Sequence, residues 1–211
     1  MGNRTQPRTA DGDRFRFRAG RPSLDLCATV LWRHVEPVEL LQEPADLGRW
    51  LTEAGLSPRR LLVSAEEFAT ALRFREAAFH AFLARIGGPE LPAASVATIN
   101  AVAANHGPLP RLTRTATVEW PEPETATTAL ATVAHDAVDL LAGPFADRLR
   151  ECAAPDCAFL FVDVSRPGRR RWCAAERCGN RQHVREYRAR QRALVGAEGE
   201  PRETRATDDD G

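Results

Sequence analysis

Four of the chain's five cysteines stand in two pairs of identical spacing: Cys152-Ala-Ala-Pro-Asp-Cys157 and, after a bridge of fifteen residues, Cys173-Ala-Ala-Glu-Arg-Cys178. A cysteine pair on a tight turn offers two sulfurs to one ion at about 2.3 Å each, and a second pair closes a tetrahedron around zinc. Cys152, Cys157, Cys173 and Cys178 are therefore the expected ligands of one structural Zn2+, since every position is a thiol and none is left open for water or substrate. Two disulfides would use the same residues. Residues 1–20, however, hold no apolar core of a secretory signal, and the gap of four is wider than that of redox pairs. Four core cysteines are a third alternative, one that gives no reason for a duplicated spacing. Cys27 lies in an apolar stretch with Leu24, Leu26, Val30 and Leu31 and reads as a buried, inert thiol.

The elements that must position these ligands are short. Pro155 and Asp156 suit the bend of the first knuckle. Phe159 to Val164 is rich in β-formers, Ser165-Arg166-Pro167-Gly168 is turn-like, and Arg170-Arg171-Trp172 is expected to return antiparallel to the first strand. Beyond Cys178 and Gly179, a stretch free of proline and glycine is long enough for about three helical turns. The spacing thus predicts knuckle, β-hairpin, knuckle and helix, a treble-clef-like zinc finger.

Charge separates along the chain. All 29 basic residues are Arg, and the total is balanced by 29 acids. Between Arg148 and Arg192 twelve Arg face five acids, a net of +7 that leaves −7 elsewhere. Such a split is the footprint of a protein that meets polyanion at one end. Arg169, Arg170 and Arg171 at the hairpin turn are expected on phosphates. Arg181, Arg185, Arg188 and Arg192 recur at spacings of four, three and four and share one helix face, with Arg185 and Arg188 best placed for base edges. The bland alternative packs the aliphatic stems of that stripe on Phe159, Phe161 and Trp172.

The run Arg148-Leu-Arg-Glu-Cys152-Ala-Ala-Pro-Asp-Cys157, the Phe-Val-Asp-Val-Ser-Arg segment before Arg170-Arg171-Trp172-Cys173, and Cys178-Gly179-Asn180-Arg181 followed by Arg185, Tyr187 and Arg188 closely resemble the CGNR-type zinc finger of bacterial proteins. In that family an N-terminal ABATE domain precedes the finger, and Phe15-Arg-Phe-Arg-Ala-Gly20 with Leu24-Asp25-Leu26 and Thr29 looks like its opening signature. Relatives commonly carry Asn where this chain has Ala28. The resemblance implies a transcription regulator of the kind often called stress-induced. Of the motif residues Gly179, Asn180 and Arg181, Asn180 is expected to hydrogen-bond backbone at the knuckles. Arg181 is expected to pack on Trp172, to bridge to Asp156 or Asp163, or to meet DNA.

Taken in order, residues 1–13 read as a disordered N-terminus, 14–144 as the α-helical ABATE-like regulatory domain, 145–194 as the zinc finger and 195–211 as a disordered acidic tail. The fold expected is mainly α with a small β component. Phe15-Arg-Phe alternates like a short strand, Ser23 is the expected cap of a helix through Leu31, and a short helix around 46–54 stops at Gly55. Ser64 and Glu67 form a capping-box signature opening a helix over 65–86, with Phe68, Leu72, Phe79, Phe82, Leu83 and Ile86 as its apolar stripe. A helix over 94–104, a strand over 112–120, a helix over 125–141 and a helical link over 145–151 complete the pattern.

No phosphate-cradling glycine loop, nucleophile elbow or His-Glu-x-x-His helix occurs, so no enzymatic activity is expected. His34, His80, His106 and His135 are scattered; His183 alone is positioned to meet phosphate or to substitute as a zinc ligand. The leading expectation is a DNA-binding regulator, cytoplasmic and associated with the nucleoid, whose N-terminal domain senses a small-molecule effector, forms a homodimer, or both. An RNA-binding or ribosome-associated protein and a zinc-stapled protein-interaction module are the alternatives.

Overall fold

The computed structural model describes residues 14–107, 111–119, 121 and 125–197; the segments 1–13 and 198–211, expected as disordered, lie outside the described residues. The chain divides into two compact units, one ending at Cys173 and one beginning at Ala174.

The first unit is built on helices. Helix α1 (Pro22–Cys27) is followed by strands β1 (Val30–Leu31) and β2 (Val38–Glu39), then by α2 (Pro44–Glu53), α3 (Ala65–Gly87) and α4 (Ala93–Ala103). Strands β3 (Arg111–Leu112) and β4 (Val118–Glu119) precede α5 (Ala126–Ala142), and a 3-10 turn (Ala146–Arg148) leads to β5 (Leu149–Glu151) and β6 (Leu160–Val162). Each strand pair is antiparallel: β1 with β2, β3 with β4, β5 with β6.

Local chemistry explains the helix starts. Ser64 accepts from the Glu67 amide while Glu67 accepts from the Ser64 amide, so the capping box expected at α3 forms. Thr125 and Thr128 do the same for α5. Pro44 occupies the first turn of α2, where its missing N–H costs nothing, and Gly55 beyond its end takes φ +71°.

Helix α3 is the centre of this core, packing against α1, α2, α4, α5 and β5. With neighbours on so many sides it buries a wider arc than one stripe. Ala71, Phe74, Ala78, Ala81 and Phe82 are fully enclosed, whereas Phe68, Leu72 and Leu83 are half-buried and Ile86 is exposed. A polar knot lies in the same core: buried Arg75 donates to Glu39 at 2.7 and 2.6 Å, to Glu76 at 2.8 Å and to the buried Thr29 hydroxyl at 3.0 Å. Its fork is paired with two carboxylates, and Arg33, 2.5 Å from Glu76, supplies the second positive charge, so an Arg can be enclosed here.

Several expectations are corrected. Phe15-Arg-Phe joins no ladder, although Phe15 is buried. Helix α1 stops at Cys27, and Ser23 lies inside it, its amide and hydroxyl both donating to Asp136 of α5 rather than capping. Val30 and Leu31 leave the helical path because the β-branched pair Thr29–Val30 turns out into β1, and Trp32 adopts φ +50°. The single strand expected over 112–120 is a hairpin, folded at Thr113–Thr117 with Ala116 at φ +57°; Trp120 lies outside the described residues. The link over 145–151 is a 3-10 turn and a strand, not a helix.

The second unit consists of a π-helical turn (Ala175–Gly179) continuing into α6 (Asn180–Ala197), which extends beyond the limit of 194 expected for the finger.

Candidate metal centre

The first knuckle is enclosed by β5 and β6. Arg150 pairs with Phe161 and Glu151 with Leu160, and the Cys152 amide donates to the Phe159 carbonyl at 2.9 Å. Within the loop so closed, the Cys157 amide donates to the Ala154 carbonyl at 2.9 Å, which makes the bend that Pro155 and Asp156 suggested. The hairpin is anchored in the core: Leu149, Leu160 and Phe161 are buried, β5 packs on α3 and β6 on α1. The expected strand at Phe159 to Val164 is therefore present in part, but its partner is the segment upstream of the first knuckle. Arg170 to Trp172 forms no strand; it meets the first knuckle through one bond, from the Ala153 amide to the Arg171 carbonyl at 2.9 Å.

The turn between Val162 and Cys173 is organised by Asp163, which is fully buried. Its Oδ1 accepts from the Ser165 amide at 2.9 Å and hydroxyl at 2.6 Å, and its Oδ2 accepts from the Arg170 amide at 2.9 Å. The Ser165 hydroxyl holds the carboxyl below its ordinary range, helped by the two amides and opposed by burial. Sequence reasoning missed this hub, taking Asp163 only as a partner for Arg181. The Asp163-Val164-Ser165 spacing, typical of a carboxylate bonding its own backbone two residues on, is the signal that could have found it.

Arg170 is likewise corrected. Its side chain turns inward instead of splaying out: Nε donates to the Trp172 carbonyl at 2.9 Å, Nη2 donates to the Cys173 carbonyl, and the guanidinium lies 4.5 Å over the Phe161 ring. Arg169 and Arg171 are exposed as expected, Arg171 lying over the Trp172 ring at 4.9 Å.

In the second unit the Cys178 and Gly179 amides both donate to the Ala174 carbonyl, at 3.0 and 3.2 Å, which sets the second knuckle at the head of α6. Both residues are buried. Arg181 donates to the Cys178 sulfur at 3.4 Å, a ligand-supporting contact that is none of the roles expected from the sequence. Asn180 is exposed at the first position of α6. Arg185, Arg188 and Arg192 are exposed, as are His183 and Tyr187.

The sulfurs of Cys152, Cys157, Cys173 and Cys178 all lie within 4.8 Å of one another. No disulfide joins any two of the five cysteines, which removes the disulfide alternative. A tetrahedron with arms of about 2.3 Å has edges of about 3.8 Å. The Cys157 and Cys173 sulfurs stand 3.8 Å apart, so that edge has the length a zinc tetrahedron requires. The Cys173 amide points at the Cys152 sulfur at 3.4 Å, a donor that stabilises thiolate. His183, exposed in α6, is not in the cluster. Cys27, by contrast, is enclosed in α1, where burial pushes its thiol up to about 12; it is the inert cysteine expected.

The ABATE family model, described as "Putative stress-induced transcription regulator", matches residues 20–144, well over half of the chain. The chain belongs to the ABATE family. The CGNR zinc finger model matches residues 148–191, the segment that carries all four clustered cysteines. No curated protein matches the chain. The centre is accordingly a zinc site of the CGNR type, with four thiolate ligands and no position left for substrate.

Proposed function

We propose that this ABATE-family chain is a sequence-specific DNA-binding transcription regulator whose zinc finger docks on duplex DNA and whose N-terminal domain senses an effector, dimerises, or both. The observation that carries the proposal is the exposure of α6: every residue from His183 to Arg192 is exposed, on all faces of the helix. A helical stretch this polar, with no buried residue from His183 to Arg192, gains its stability from a partner or from many internal pairs. The recurrence of Arg185, Arg188 and Arg192 selects a polyanionic partner, and the net of +7 between Arg148 and Arg192 agrees. Arg170 is removed from the expected phosphate contacts, and Arg169 and Arg171 remain. His183 is exposed too, but on the side of the helix opposite the Arg185, Arg188 and Arg192 stripe. The zinc is structural, the chain acts by binding rather than by catalysis, and its place is the cytoplasm, on the nucleoid. Among the described residues no helix is long and apolar enough to cross a membrane.

Fluorescence anisotropy with a labelled random-sequence duplex, a structured RNA hairpin and a short acidic peptide separates the classes. Duplex binding that weakens steeply with salt and exceeds RNA binding is expected. Preference for the RNA would replace DNA by RNA as the partner, and binding of neither nucleic acid would contradict the proposal.

A further inference from the structure

We propose that Arg170 is a positioning residue of the zinc centre, holding the third ligand, Cys173, through its backbone. The chain of contacts starts at Asp163, whose buried carboxylate fixes both ends of one turn, Ser165 at its start and the Arg170 amide at its close. With its own backbone pinned there, Arg170 sends its side chain forward along the chain. The two prongs of the guanidinium take the carbonyls of consecutive residues, Trp172 and Cys173, and the plane is pressed on the buried Phe161 ring of β6.

Fixing two successive carbonyls fixes the peptide planes on both sides of the Trp172–Cys173 link, and with them the direction in which the Cys173 side chain leaves the backbone. The same orientation aims the Cys173 amide at the Cys152 sulfur, 3.4 Å away. Three attachments (a buried carboxylate, an aromatic face and a paired fork) thus converge on a ligand that stands at the end of a long irregular segment, Asp163 to Trp172, whereas Cys157 sits in a short turn closed by its own amide on the Ala154 carbonyl. Cys152 has β5 to hold it and Cys178 has the turn opening α6; Cys173 has no regular element on its N-terminal side. Four thiolates around a dication also leave net negative charge, which a guanidinium among the outer contacts offsets. Lysine cannot replace this residue, because a single ammonium lacks the planar fork needed to hold two carbonyls and lie flat on a ring.

The test is zinc competition by a chromogenic chelator on the full chain, for wild type and for Arg170→Ala, Arg170→Lys and Arg169→Ala, with the Co2+-substituted absorption spectrum recorded beside it. Loss of such an outer contact weakens metal binding about 10–100-fold, so Arg170→Ala is expected to lose zinc affinity by that factor. Arg170→Lys should remain weakened and show altered cobalt ligand-field bands, while Arg169→Ala, exposed and one residue away, should match wild type. Should Arg170→Ala fail to fold, Arg170→Lys decides alone. Wild-type affinity in Arg170→Ala, or full recovery of affinity and spectrum in Arg170→Lys, would overturn the proposal, the second by showing that charge and not the fork acts.

Discussion

Cys27 and Cys152 are about equally buried, at 3% and 5% exposure, yet only one is a ligand. The difference lies in their neighbours. Around Cys152 three further sulfurs gather as ligands for one ion and a backbone amide donates to its sulfur, whereas around Cys27 no such cluster stands among the described residues and burial, outweighing the Arg33 and Arg75 charges, pushes the thiol up to about 12. Asp25 shows the same competition in a carboxyl. Burial raises it from an ordinary 3.8 to about 6, although the Ala19 and Arg18 amides donate to its Oδ1 at 3.0 and 2.9 Å. A folded carboxyl that holds its proton more tightly than the unfolded one contributes stability that is present below about pH 4 and lost as pH rises through 6. Asp25→Asn keeps an acceptor for both amides and cannot ionise. Its stability relative to wild type, measured by urea unfolding, should therefore rise by about 1–3 kcal/mol between pH 4 and 7. A constant difference across that range would show that the carboxyl titrates normally.

Among the elements, α3 tests the packing account. Ser64→Ala should cost about 1 kcal/mol through the lost cap, while Phe74→Ala, emptying a fully buried site at the helix centre, should cost about 3–5 kcal/mol in thermal or urea unfolding. Equal costs would mean that α3 is not the centre of the core. The boundaries of α3 and α5 were legible because caps and breakers act locally: Ser64 and Gly88 flank the first in sequence, Thr125 and Gly143 the second. Which strand pairs with which was not legible. Leu149-Arg-Glu is too short to show a period, and its pairing with Leu160-Phe-Val is decided by burial of Leu149 and Phe161 against the helices, which lie far away in sequence. The four zinc ligands were legible for the opposite reason, since identity and spacing alone specify them. The inward turn of Arg170 was not, because one Arg in a run of three has no distinguishing neighbour until the Asp163 hub is seen.

For the molecule as a whole, the anchoring of β5 and β6 in the helical core changes what metal loss should do. A zinc finger of this size standing alone would be expected to unfold from about Cys152 onward once its metal is removed. With Leu149, Leu160 and Phe161 fully enclosed, the hairpin should survive chelation. The segment from Ala174, whose turn and helix form a small unit of their own, should lose its order. Hydrogen exchange before and after chelation is expected to show protection kept at residues 149–162 and lost beyond 174; loss at both would restore the simpler expectation.

In the proposed function a zinc-thiolate centre presents an arginine-bearing helix to duplex DNA. The most direct measurement is the salt dependence of duplex affinity for zinc-loaded wild type, zinc-loaded Arg185→Ala/Arg188→Ala and chelator-treated protein. Each phosphate contact contributes a slope of about −0.9 in log affinity against log salt. The double variant should bind more weakly, with a slope shallower by up to about two units where both Arg meet phosphate, or with sequence preference relaxed where they meet bases. Chelated protein should lose specific binding. An unchanged affinity, slope and sequence preference in the double variant, with zinc retained, would contradict the assignment of α6 as the nucleic-acid surface.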